Sequence, residues 1–444
     1  MESSISKKAT WGYLLKFTLP SMLSMLIMST FGIVDGIFVS RLINPIALSA
    51  VGIVFPFISF AMAIGFMLGV GGNALVAKKI GAGLAGEARA NFTLIALTAF
   101  ALSLIFAIVG IVFPGFILHI LGADDFVSSM AFEYLKPILY FMPAIIVGMV
   151  FQQFLITEGK ANIVAMTTTA GGFLSAGLNY LFIYLMGMGL RGAAIATCIG
   201  YTLPAVVGLV YFTFKRNGHL CFVKPKFEIR VLGKVCVNGS SEMVTMLATS
   251  VTTVLMNNIL MGMQGVEAVA AASIMFGAMG VFGALFAGYS SGVAPIISYN
   301  YGKGDTENLK RVYANSLRLI GFLSIFGTGL AWLLTNPIIS VYDVPVGTAI
   351  HDMAFTGFRI ITAGFVFMGF NMFSSMMFTA LNNGLVSALL SFFRTLVFVV
   401  ISFLILPRIF GLNGAWAAMP FAELLGLAMT IFFFKKMKKV YHYA

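Results

Sequence analysis

Four charged side chains fall inside long apolar runs of this sequence, and they are the residues best placed to do chemistry. Asp35, Glu242 and Glu423 are acids, and Arg394 is the one base that lies within such a run. A charge at the centre of a membrane helix costs about 2.5–3.5 kcal/mol, so such groups usually line a cavity or pair with one another. The acids are therefore the first residues to consider for binding a coupling cation.

Each acid also has a simpler interpretation. Asp35 lies about 30 Å along its apolar run, where it either binds a coupling ion or pairs with Arg41 near the outer surface. Glu242 lies about 9 Å into its run. There it either binds a cation or is an acid at the membrane interface that interacts favourably with the positive N-terminal end of the helix dipole. Glu423 either has a functional role or closes contacts between helices. Because Asp35 and Glu242 differ in depth, counting argues against one shared site.

The sequence contains no motif that supports catalysis. The segment 81–86 matches the pattern G-x-G-x-x-G, but it follows an apolar helical run and not a strand, so it indicates a tight turn. There is no Walker A motif and no nucleophile–base arrangement. His219, Cys221 and Cys236 lack the spacing of a zinc site. We therefore expect no enzyme activity, no cofactor and no metal, and energy for transport would come from an ion gradient.

The composition requires most of the chain to face lipid. Of 444 residues, 60% are hydrophobic and only 9% are charged, whereas a soluble domain carries about 25% charged residues. A spanning helix needs about 20 apolar residues, and no segment alternates as a membrane β-strand would. The sequence predicts an all-α protein with twelve spans, near 14–40, 46–76, 92–118, 131–156, 163–186, 192–214, 236–262, 267–299, 312–341, 354–380, 386–407 and 412–434.

Lysine and arginine are distributed unevenly between the connections. With the N-terminus placed inside, 21 of the 27 Lys and Arg residues lie inside, 5 lie outside, and Arg394 falls within a span. The positive-inside rule therefore predicts a multi-pass protein of the cell (inner) membrane with both termini in the cytoplasm. Since the basic residues lie in short loops, the net charge of +12 does not indicate nucleic-acid binding.

The chain repeats itself at an offset of 221 to 222 residues. Gly189-Leu-Arg-Gly-Ala193, for example, aligns with Gly411-Leu-Asn-Gly-Ala415. Six spans in each half make the two repeats parallel, with a central cavity between bundles that can rock about it. We predict an N-terminal six-helix bundle over 1–214, a basic cytoplasmic linker over 215–235 and a C-terminal six-helix bundle over 236–444.

Several motifs together resemble the multidrug and toxic compound extrusion (MATE) family. They are Leu19-Pro20 with Val34-Asp35-Gly-Ile-Phe-Val-Ser-Arg41, then Ala47-Leu-Ser-Ala-Val-Gly52, Gly189-Leu-Arg-Gly-Ala-Ala-Ile-Ala-Thr197, Gly239-Ser-Ser-Glu242, Pro295-Ile-Ile-Ser-Tyr-Asn-Tyr-Gly302 and Gly411-Leu-Asn-Gly-Ala-Trp416. The resemblance implies twelve helices in two bundles about a V-shaped central cavity. It also implies export of organic, often cationic, compounds driven by the entry of protons or sodium ions.

The resemblance further implies roles for individual residues. Asp35 matches the N-bundle acid tied to ion coupling, and Glu242 matches an acid tied to cation binding in the C-bundle of one branch. The proton-type pattern has Asn and Asp in helix 5, where this chain has Ser175 and Asn179. The sodium-type branch has Asp in helix 10, where this chain has Asn371. Neither set is complete, so the coupling ion is H⁺ or Na⁺, with Asp35 carrying any proton of the N-half largely alone.

We expect Gln153, Met256, Asn257 and Asn371 to line the substrate cavity. Pro20 is a possible hinge of the first helix, because proline removes a helical hydrogen bond.

The predicted function is secondary antiport by alternating access. The substrates are small organic solutes that are cationic or amphipathic, and the protein works as a monomer in the bilayer. A second hypothesis is a flippase for lipid-linked oligosaccharides on a related fold, which would favour several cationic residues around the cavity, whereas only Arg394 is available. A membrane-embedded interaction protein would leave Asp35 and Glu242 unexplained.

Overall fold

A computed structural model describes residues 7–43, 45–121, 125–215, 218–342 and 344–444. Within these ranges the chain is almost entirely helical and contains no β-strand, as the sequence predicts. Two π-helical turns, Tyr180–Leu185 and Phe393–Val397, interrupt the α-helices. The α-helices are α1 (Trp11–Leu42), α2 (Pro45–Gly81), α3 (Ala85–Val112), α4 (Pro114–Ile120), α5 (Asp125–Thr157), α6 (Ala161–Asn179), α7 (Gly189–Phe214), α8 (Ile229–Lys303), α9 (Thr306–Leu333), α10 (Thr335–Ser340), α11 (Ala349–Thr362), α12 (Phe365–Ala380), α13 (Gly384–Phe392) and α14 (Phe398–Tyr441).

Two of the long helices are broken at a glycine. Gly265 in α8 has a φ of 67° and Gly411 in α14 has a φ of 57°, a left-handed conformation that glycine adopts without steric cost. Nine helices of the described chain are long and apolar enough to cross a membrane, or ten if the bent pair of α11 and α12 forms one span. One of the nine is the 58-residue segment Gly384–Tyr441, although Gly411 divides it. The multi-span helical fold is confirmed, and the count of twelve spans stays a prediction.

The two halves meet through a reciprocal glycine contact at the ends of α2 and α8. A Cβ atom at Gly81 would overlap the carbonyl oxygen of Tyr299, and a Cβ atom at Gly302 would overlap that of Lys78. Gly81 and Gly302 stand 221 residues apart, as do Lys78 and Tyr299. The contact therefore occurs twice with the helices exchanged, which is the pattern that two copies related by a two-fold axis produce.

This contact closes one side of the molecule. Next to this contact, every residue is buried in two segments, 68–77 of α2 and 288–298 of α8. Lys78, Lys79 and Lys303 lie at the same helix ends, so we call this the basic side. The positive-inside rule predicts that the basic side faces the cytoplasm.

Gly302→Ala is expected to destabilise the closed arrangement, because the neighbour that the new methyl group meets is a backbone carbonyl that cannot rotate away. Overpacking of this kind costs about 1–3 kcal/mol, which a lower midpoint of thermal unfolding in detergent would report. Gly233→Ala in the same helix is the matched control, since a Cβ atom there meets nothing within 4 Å. Equal midpoints for the two variants would contradict the close contact.

The connection between the halves is docked on the first half. Glu158, which follows α5, accepts hydrogen bonds from the backbone N–H of Leu220 at 2.7 Å and of His219 at 3.2 Å. Arg89 donates from Nε to the carbonyl oxygen of His219 at 2.9 Å. Burial raises the pKa of the Glu158 carboxyl, and the backbone N–H groups oppose that rise. The first part of the predicted linker thus packs with the N-terminal half, and the exact domain boundaries stay predictions.

Candidate functional site

Asp35 lies among three neutral hydrogen-bond donors from two neighbouring helices. Its Oδ1 accepts from Nδ2 of Asn179 at 2.8 Å and from the hydroxyl of Ser175 at 3.4 Å, both on α6. Its Oδ2 accepts from the hydroxyl of Thr197 on α7 at 3.2 Å. Ser175 and Asn179 share one helical face because they are four residues apart. Thr197 was missed as a partner, although it ends one of the recognised motifs, because helical periodicity alone does not reveal which helix it faces.

One oxygen beside this carboxylate is free to bind a ligand. Oδ1 of Asn179 is buried and has no hydrogen-bond partner among the described residues. A cavity of about 300 Å³ reaches Asp35 and Asn179 and is otherwise largely apolar, with Tyr201 on its wall. Carboxylate, amide and hydroxyl oxygens are the ligands that hard cations prefer, and a carboxylate can alternatively take up a proton. The alternative pairing of Asp35 with Arg41 is not described, because the side chain of Arg41 lies outside the described part of the chain.

A second pocket lies between the halves and contains Glu242. Its volume is about 70 Å³, and its wall includes Gln153 from α5, Ser291 from α8, and both Glu242 and Arg394. Methionines from both halves also line the wall, and their flexible thioethers adapt to varied ligands; they are Met25, Met372 and Met376. Gln153, which the sequence predicts to line the substrate cavity, lies on the wall of this pocket, and its contact with substrate stays a prediction.

Glu242 is deeper in its helix than the sequence suggested. Helix α8 begins at Ile229, seven residues before the predicted span, so Glu242 lies thirteen residues in, or about 20 Å along the axis. The sequence places Glu242 about 9 Å into an apolar run that begins at residue 236, and that run marks only part of the helix. Glu242 makes no hydrogen bond with a described residue, and Arg394 lies on the wall of the same pocket and interacts with it electrostatically. It is therefore a pocket acid and not a helix-start acid.

Arg394 and Glu423 form an ion pair behind this pocket. Nε of Arg394 lies 3.0 Å from Oε1 of Glu423, and the two side chains are only 11% and 14% exposed. Arg394 lies in the π-helical turn of residues 393–397, a widened turn that often marks functional sites. Asn371 donates from Nδ2 to Oε2 of Glu423 at 2.7 Å and accepts from Thr430 at 3.0 Å. Both ends of the Asn371 amide are thus engaged, so it supports the ion pair.

The remaining sequence-predicted residues lie away from the two pockets. Met256 is 4% exposed and packs in an apolar cluster with Leu260 and Phe282. Asn257 is partly buried on the same helix. Helix α1 continues through Pro20 without a break in its α-helical assignment, so the hinge stays a prediction.

No group of three or more His, Cys, Asp or Glu side chains that could hold a metal occurs within the described residues. Cys221 and Cys236 are free thiols.

The wall of the pocket between the halves contains one basic residue, Arg394, and it is already paired with Glu423. A flippase that holds a pyrophosphate would need several free cations there, so the described geometry gives that hypothesis no support.

Repeated helical halves, a tight contact on one side and buried acids beside cavities define a helical membrane transporter. Comparison with known proteins identifies its family. The MatE family profile matches residues 20–181 and again residues 243–404. The two matches begin 223 residues apart, close to the internal repeat, and cover more than two thirds of the chain. The chain therefore belongs to the MATE family of multidrug efflux transporters.

Individual relatives agree with this assignment. The multidrug export protein MepA of Staphylococcus haemolyticus (strain JCSC1435) is 25% identical, over 97% of this chain and 93% of that protein. A crystal structure of a MATE protein in complex with MaL6 superposes with a TM-score of 0.92 at 22% identity, covering 99% of this chain and 100% of the other. An outward-facing MATE transporter of the MOP superfamily gives a TM-score of 0.89 at 22% identity, covering 97% and 96%.

Proposed function

We propose that this protein is a secondary antiporter that exports small organic solutes, cationic or amphipathic, in exchange for inward H⁺ or Na⁺. The observation that carries the proposal is the Asp35 carboxylate, which is held by three neutral donors with a free amide oxygen beside it. An acid with neutral partners keeps its negative charge available for an incoming cation. A site of this kind supports ion coupling better than a structural ion pair does.

Glu242 is the proposed contact for a cationic substrate. It faces the pocket between the halves and has no hydrogen-bonding partner among the described residues, while the methionines supply adaptable apolar contacts. The proposed cycle rocks the halves about this pocket, so that the basic side opens when the other side closes. The proposal places the protein in the cell (inner) membrane as a monomer, with both termini in the cytoplasm and no cofactor.

The test is export of ethidium by everted vesicles under an imposed proton gradient or an imposed sodium gradient. Export of a cation against the membrane potential costs about 2.3 kcal/mol per charge per 100 mV, so it must be coupled to an ion gradient. We expect ethidium to accumulate under only one of the two gradients, that of the coupling ion. Ionophore collapse of that gradient should stop accumulation. Failure of both gradients to drive ethidium would contradict antiport.

Glu242→Gln is expected to weaken ethidium binding, because the neutral side chain loses its electrostatic attraction for the cation. Charge-assisted contacts contribute about 1.5–3 kcal/mol, so the half-saturating ethidium concentration should rise roughly tenfold or more. Glu228→Gln is the matched control, because Glu228 is an exposed acid just before the same helix. An unchanged half-saturating concentration in Glu242→Gln would remove Glu242 from substrate binding.

A further inference from the structure

Three neighbouring cavities run from Asp35 to Glu242, and each shares wall residues with the next. The first, of about 40 Å³, is lined by Asp35 together with Gln152 and Thr168. The second, of about 20 Å³, has the same Gln152 and Thr168 on its wall and also Gln153. The third, of about 70 Å³, is the pocket between the halves, where Gln153 and Glu242 both lie on the wall. The shared residues place the three cavities in a row from the N-terminal half to the C-terminal half, and we call this row the passage.

The wall of this passage carries hydroxyl groups without a protein partner. Ser21, Ser24 and Thr168 line the second cavity, and Ser290 lines the third. All four hydroxyls are buried and form no hydrogen bond with the described part of the chain; Ser21 and Ser24 are 3% and 5% exposed. A buried polar group left unsatisfied costs about 1–3 kcal/mol. Four such groups along one path therefore indicate a common polar ligand.

The dimensions and charges of the passage favour water as that ligand. A water molecule needs about 10–15 Å³ of space on this measure of volume, so each of the three cavities holds at least one. The wall of the second cavity contains no acid or base, so it offers a metal ion no counter-charge. The titratable groups lie at the two ends of the passage. At the first end Tyr201 lies beside Asp35, and Tyr134 and Cys198 line the adjoining cavity of about 300 Å³. At the other end Arg394 lies beside Glu242.

We propose that this passage holds a chain of water molecules that carries a proton between Asp35 and Glu242. The O–H bond of protonated Asp35 breaks as a bond forms to the first water, and each water passes one proton on. The last water delivers a proton to the Glu242 carboxylate, so proton number and total charge are unchanged. The two acids then act as one proton-binding unit that joins the halves. This inference rests on the proposed function, in which Asp35 binds the coupling ion.

Hydration is tested by radiolytic hydroxyl-radical footprinting of the purified protein in lipid nanodiscs. Met28 lines the first two cavities, so activated internal water should oxidise it. Thr168→Val removes one unpaired hydroxyl at nearly constant shape, and we expect Met28 oxidation to fall several-fold. Thr167→Val is the matched control, because that hydroxyl already donates to the carbonyl of Ile163 at 2.8 Å. Ser24→Ala is the second test variant if Thr168→Val does not fold.

Conduction is tested by proton-driven ethidium export in H₂O and D₂O. Thr168→Val should slow export several-fold and increase the solvent isotope effect, whereas Thr167→Val should resemble wild type. Unchanged Met28 oxidation in Thr168→Val and Ser24→Ala would overturn the water chain. Lost hydration with unchanged export and isotope effect would overturn proton transfer. Export driven by sodium alone would overturn the proton passage and leave antiport standing, while export under neither gradient would overturn the proposed function itself.

Discussion

Asp35→Asn is expected to reduce gradient-driven export to the level of vesicles without the protein, while the protein remains folded. The new amide retains an oxygen that can accept from Asn179, and the hydroxyl of Thr197 can rotate to accept from its nitrogen. The local hydrogen bonds are thus preserved, whereas the negative charge is lost. The measurement is ethidium accumulation under the gradient that drives wild type, alongside the midpoint of thermal unfolding.

Asp352→Asn is the matched control for this experiment. Asp352 lies in the first turn of α11 and its side chain is 73% exposed, so neutralising it should leave export unchanged. Normal accumulation in Asp35→Asn would show that the coupling ion binds elsewhere. A large fall in the unfolding midpoint of Asp35→Asn would instead assign Asp35 a structural role.

Arg394→Met is expected to destabilise the protein strongly, and by more than Gly302→Ala does. Removing one member of a buried ion pair leaves the other charge unpaired, which costs about 3–5 kcal/mol. In Arg394→Met the unpaired charge would be the carboxylate of Glu423, which accepts a hydrogen bond from Asn371. The additional change Glu423→Gln should restore most of the loss, because the glutamine still accepts from Asn371 but carries no charge. Thermal unfolding of both single variants and the double variant measures the coupling energy.

The exposed pair of Arg311 and Glu307 provides the comparison. These residues are four apart on α9, and their side chains are 36% and 78% exposed. Exposed pairs of this kind contribute about 0.3–0.5 kcal/mol, so Arg311→Met should change the unfolding midpoint little. If the double variant is no more stable than Arg394→Met alone, the pair of Arg394 and Glu423 does not supply the stability attributed to it.

Several features of this protein followed from the sequence because they depend on local composition. In lipid every backbone N–H and C=O must be paired within the chain, so long apolar runs become helices whatever their neighbours are. The internal repeat followed from matching glycine motifs, and the family profile recognises both copies. The choice of Asp35 and Glu242 as candidate site residues followed from the cost of placing charge among apolar residues.

Helix ends and partner choice could not be obtained in the same way. The start of α8 at Ile229 lies in a basic, less apolar segment, where hydropathy gives no boundary. Arg394 meets Glu423 across 29 positions of the chain, and Thr197 meets Asp35 across 162. Such pairings depend on the rotation and tilt of whole helices, which side-chain packing sets and which no short sequence pattern encodes.

The sequence by itself determined a helical membrane protein with two repeated halves, its family and its candidate site acids, because hydropathy, repetition and buried charge are properties of the chain read in one dimension. Only the tertiary structure decided that Asn179, Ser175 and Thr197 surround Asp35, that Arg394 pairs with Glu423, and that glycines close the basic side. These outcomes require helices distant in the chain to pack at particular angles, and the packing of entire helical faces sets those angles.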